Sequence, residues 1–93
     1  MKKVEIIDRL SGLSPAILST TPYAQARNIP PSAIQNALAS LSPDSTWEDI
    51  KLLVLLDLSR EIQSIATNMM ADLTDTEVAD RAEKAYENLI DEN

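Results

Sequence analysis

Residues 46–73, TWEDIKLLVLLDLSREIQSIATNMMADL, decide the fold. Along them Trp47, Ile50, Val54, Leu58, Ile62, Ile65, Met69 and Leu73 recur every three or four positions, one continuous apolar stripe. A helical turn takes 3.6 residues, so this spacing lines them along one side of a long α-helix, over about residues 46–73. Between Ile50 and Leu58, seven of nine positions are apolar, and only Lys51 and Asp57 interrupt. A helix apolar nearly all round is buried on several sides or shared with a partner.

The rest of the chain reads as cover for that helix. Ser14-Pro15, Thr21-Pro22 and Ser42-Pro43 each set a capping hydroxyl before a proline. Proline has no N–H to leave unpaired and a helix-compatible φ, while the hydroxyl accepts one of the orphan N–H groups of a first turn. Ser45-Thr46-Trp47-Glu48 and Thr74-Asp75-Thr76-Glu77 fit the reciprocal capping box. The pattern predicts a first helix over about 2–11, with Val4, Ile7 and Leu10 on one face. A short helix or turn comes next, carrying Ile17 and Leu18, then a helix over about 22–27. Another covers about 31–41, with Ile34, Leu38 and Leu41 aligned. The last spans about 75–91, with Val78, Ala82, Ala85 and Leu89 along it. The expected architecture is a compact all-α bundle of five or six helices, a single domain over 1–93, packed around the long central helix.

Composition agrees and excludes much else. Of 93 residues 44% are hydrophobic, yet there is no Phe and a single Gly, so strands and glycine hairpins have little to build on. The chain has no His and no Cys, which removes the commonest general base, the strongest common nucleophile, disulfides and thiolate metal sites. Asp72, Asp75 and Glu77 lie close in sequence but lack the further ligands and the glycine of a calcium loop. No catalytic residue, cofactor or metal site is expected. The longest apolar run, Leu52–Leu56, is far shorter than the ~20 residues that span a bilayer. Met1-Lys2-Lys3 is basic, but Glu5 and Asp8 place charges in the next turns, so no signal-peptide core forms. A cytoplasmic protein is the expectation.

The net charge of −7 is unevenly spread. Residues 74–93 carry seven acidic side chains against Arg81 and Lys84, a balance of −5, whereas residues 1–73 carry eight against six. Such an acidic helix repels nucleic acid and attracts a basic surface. Glu77, Asp80, Glu83 and Glu87 are therefore candidate contacts with a protein partner. Leu52 and Leu56 join them if the apolar girdle is left partly uncovered, which would make it a homodimer seam.

Residues 27–38, RNIPPSAIQNAL, raise a different reading. Ala24, Asn28, Ile29 and Ile34 sit at the spacings of a helix, a left-handed turn residue and a second helix, with Leu38 one turn further on. Over some 20 residues this resembles helix-turn-helix proteins, with Asn28 where glycine is usual. Arg27, Ser32, Gln35 and Asn36 would then be the candidate DNA contacts. The second helix holds no Lys or Arg, however, and phosphate contacts need cations. The favoured expectation is a small acidic protein-interaction protein, an adaptor, assembly factor or inhibitor of the kind phages and plasmids encode. The alternative is a helix-turn-helix regulator with its corner at residues 22–41.

Overall fold

The computed structural model describes residues 2–92, so Met1, which opens the basic N-terminal stretch, and Asn93 lie outside it. Among the described residues the secondary structure is six helices: α1 (Lys3–Ser11), α2 (Pro15–Ser19), α3 (Pro22–Ala26), α4 (Pro31–Ala39), α5 (Trp47–Asn68) and α6 (Asp75–Asp91). The 22 residues of α5 make a rod of roughly 33 Å at 1.5 Å per residue. That is most of the longest dimension of the molecule, 38 Å. All five other helices pack on it, α6 most extensively.

The apolar girdle is thereby closed within one chain. Ile50, Leu53 and Leu56 are completely inaccessible, and Val54 and Leu55 are 3% exposed. Leu56 offers no surface to a partner, and Leu52 is half-buried against the same core. Of the girdle only Leu52 and Leu58 keep partial exposure, so Leu56 is no part of any homodimer seam and Leu52 is the one expected seam residue still at the surface. The core is completed by Ile6, Ile7 and Leu10 of α1, Leu18 of α2, Ala24 of α3, Ile34 of α4, and Ala82 and Tyr86 of α6.

Helix starts follow the hydroxyl signals in four cases. Ser14, Thr21, Thr46 and Thr74 accept the backbone N–H of Ile17, Ala24, Asp49 and Glu77. Reciprocally, the Asp49 and Glu77 carboxylates accept the N–H of Thr46 and Thr74, and these bonds lower both carboxyl pKa values. The capping box of α5 is thus Thr46–Asp49, one residue beyond the Ser45–Glu48 register. Ser45 is occupied elsewhere: its Oγ accepts the Ser42 N–H at 3.0 Å in the turn before the helix. Ser42-Pro43 begins this turn, not a helix. Ser59 of α5 acts as a cap in trans. It is fully buried, donates to the Leu56 carbonyl at 2.8 Å and accepts the Tyr23 N–H at 3.3 Å, fixing the first turn of α3 on α5.

Two other departures from the periodic reading have simple causes. In α1 the core takes Ile6, Ile7 and Leu10, and at 100° per residue Val4 lies roughly 110° from the centre of that face. It is half-exposed accordingly. The apolar stripe of α5 runs to Leu73 in sequence, but the helix ends at Asn68 so that α6 can fold back. Met70 takes φ 57°, and Ala71 and Met70 donate to Ala66 and Thr67 at 2.8 and 3.0 Å, a Schellman end. Around this end Ala66 is still buried, but Ile65, Met69 and Met70 are 59%, 74% and 92% exposed. Both methionines face solvent. No helix is long and apolar enough to cross a membrane among the described residues.

Two substitutions test this packing. Met70→Gly relieves a left-handed residue that buries nothing, so stability rises by about 1 kcal/mol, seen as a higher urea midpoint at unchanged slope. Leu53→Ala opens a cavity in the girdle and costs about 2–5 kcal/mol in the same experiment.

Candidate functional site

The corner between α3 and α4 is built as its sequence implies. Asn28 takes φ 54°, and the Ile29 N–H reaches the Ala24 carbonyl at 3.0 Å. Its cation is directed elsewhere. Arg27 donates from Nη2 to Asp80 Oδ1 at 2.9 Å and to Glu83 Oε1 at 2.6 Å, and from Nε to Glu83 Oε1 at 3.2 Å. Its guanidinium also lies over the Tyr23 ring, 5.6 Å from the centroid. The bonds to Glu83, then Asp80, hold it still more firmly in the charged form. Arg27 therefore ties α3 to α6. Ser32, Gln35 and Asn36 are exposed on α4, which packs on α2 and α5. Of the four candidate DNA contacts only Arg27 is charged, and its charge is paired with Asp80 and Glu83.

The same ion-pair node divides the acidic candidates. Asp80 and Glu83 are partly neutralised by Arg27, and Glu77 is engaged in the capping box of α6. Glu87, one turn beyond Glu83, lines a recess of about 500 Å³ where the start of α5 meets the end of α6. All three aromatic residues of the chain converge there: Tyr23 from α3, Trp47 from α5 and Tyr86 from α6. Glu48 and Glu83 line the recess with Glu87, and Leu55 and Ile90 complete its apolar wall. Among the described residues neither Glu48 nor Glu87 has an ion-pair partner.

The aromatic walls are held by the fold. The Tyr86 hydroxyl donates to the Trp47 carbonyl at 3.1 Å, which locks the two helix ends together. Lys51 places its ammonium 5.6 Å from the centroid of the Tyr86 ring. Burial, then the nearby Glu48 carboxylate, raises the Tyr86 pKa. Burial, then Glu83, raises that of Tyr23 against the opposing pull of Arg27. No periodicity within one helix could reveal this convergence, because the residues belong to three elements brought together by the fold. The scarcity of aromatics was the one signal available in the sequence.

A second cluster locks α1 to α5. Asp57 is buried, pairs with Arg9 Nε at 3.0 Å and accepts Arg60 Nη2 at 2.8 Å, while Arg9 also pairs with Glu61. Every charge in it has an opposite neighbour, as a buried ion requires. Comparison of the chain with protein-family models, curated proteins and solved structures finds no match.

An absorbance titration checks the electrostatics. Both tyrosines ionise above the ordinary value of 10.0, and Arg27→Ala moves Tyr23 higher, because the guanidinium lowers its pKa. Since the folded values lie above the unfolded one, the associated stability is complete below that pH. It is lost as pH rises through the folded values.

Proposed function

We propose that this chain is a non-catalytic protein-interaction protein, an adaptor, assembly factor or inhibitor, whose acidic α6 side meets a basic surface on a protein partner. The observation that carries this reading is the recess between α5 and α6, where exposed Glu48 and Glu87 stand unpaired among the described residues beside three aromatic rings. Buried aromatic anchors with a charged rim are the usual makings of a recognition surface. The absence of His and Cys from the sequence supports a binding role over a catalytic one. A cytoplasmic setting and a phage or plasmid origin belong to the same proposal.

The helix-turn-helix alternative has one observation in its favour, the left-handed turn at Asn28. Against it, Arg27 already satisfies two carboxylates, and binding DNA would require breaking those bonds as well as overcoming a net charge of −7.

Titration with polylysine and with duplex DNA at low salt separates the readings. Salt-sensitive polylysine binding is expected, weakened several-fold when Asp80→Asn and Glu87→Gln are combined. Glu5→Gln with Asp8→Asn, which removes the same charge from α1, should leave it nearly unchanged. Equal losses in the two double variants would reduce the effect to net charge and defeat the proposal. A salt-sensitive DNA complex weakened by Arg27→Ala would replace it with the regulator.

A further inference from the structure

We infer that the aromatic recess is a seat for a guanidinium, an arginine side chain presented by the protein partner, an inference that rests on the proposed interaction role and narrows it. The chain itself displays the binding mode. At the near wall Arg27 lies over the Tyr23 ring and bonds Glu83 at 2.6 Å, a planar cation held by a ring and a carboxylate together. The same two kinds of group recur further along. Half-buried Trp47 supplies the ring, backed by the buried Tyr86, and Glu87, four residues after Glu83 on α6, supplies the carboxylate, with Glu48 beside them. Among the described residues these two carboxylates have no ion pair.

Charge and shape both select the occupant. With Glu83 already paired to Arg27, the unpaired Glu48 and Glu87 against Lys51 still leave the lining negative, and a recess of about 500 Å³ is of the size that takes a bound side chain or small ligand. Indole is the strongest of the cation–π acceptors. A guanidinium suits such a site better than an ammonium, because it is planar, weakly hydrated, stacks on rings and offers a fork of donors to carboxylates. Lys51 is the resident competitor. Its ammonium sits over the Tyr86 ring that lines the recess, so its charge opposes an incoming cation.

The test is a nuclear magnetic resonance titration with three capped tripeptides, each with glycine on both sides of arginine, lysine or citrulline. Citrulline keeps the shape of arginine without its charge. The arginine peptide should shift the Trp47 indole N–H, the lysine peptide should do so more weakly, and citrulline should not. Glu87→Gln should weaken arginine binding about two- to fivefold, the range of one exposed ion pair. Lys51→Gln should strengthen it by a similar factor. Both residues are exposed, so the variants should fold, which their spectra verify. An unmoved Trp47 indole, an equal response to citrulline, or weaker binding by Lys51→Gln would overturn the seat. If polylysine binding still depended on Asp80 and Glu87 in that event, the acidic interaction surface would stand without it. Loss of that dependence with Trp47 still responding to arginine would instead remove the wider role.

Discussion

The girdle of α5 is the constraint on which the rest of the molecule depends. Between Ile50 and Leu56 the helix is apolar on nearly every side, and Ile50, Leu53, Val54, Leu55 and Leu56 all end up buried. A surface of that shape cannot be covered by one neighbour. It needs α6 along one side and four shorter helices around the others. The turns that separate the short helices serve this wrapping. Ser59, buried in α5, receives the first turn of α3, and the left-handed Asn28 redirects the chain so that α4 can bring Ile34 into the core. The corner that resembles a DNA-reading motif is, in this molecule, part of how α5 is enclosed.

Arg27 connects that enclosure to the surface chemistry. By bonding Asp80 and Glu83 it removes the single cation from the corner and two carboxylates from the acidic side of α6. What is left unpaired among the described residues lies further along the same interface. There Glu48 and Glu87 accompany Trp47 and Tyr86. One ion-pair node therefore moves the centre of interest from the corner and the outer face of α6 to the recess between helix ends.

Sequence reading went furthest where a rule is local. The hydroxyl caps at Ser14, Thr21 and Thr74, the stripe through Val54 and the left-handed turn at Asn28 are short-range features, and all are present. It fell short where two local rules compete or where contact is long-range. The Ser45–Glu48 spacing fits a capping box, but the turn engages Ser45 and the box forms one residue on, at Thr46–Asp49. Val4 is as apolar as Ile6, and only the direction of α5 selects the face of α1 that is buried. The stripe past Asn68 gives no warning of its end, because Met70 is an unusual residue for a left-handed terminus. Tyr23, Trp47 and Tyr86 are neighbours only after three helices have packed.

Native-state hydrogen exchange is the most direct measurement of the enclosed girdle. If five helices of one chain close it, the amides of Leu53 to Leu56 exchange only when the whole domain unfolds. Their opening free energy then equals the stability from urea denaturation and does not change with protein concentration. Exchange of these amides through a smaller local opening, or protection that grows with concentration as a second copy completes the cover, would contradict the account.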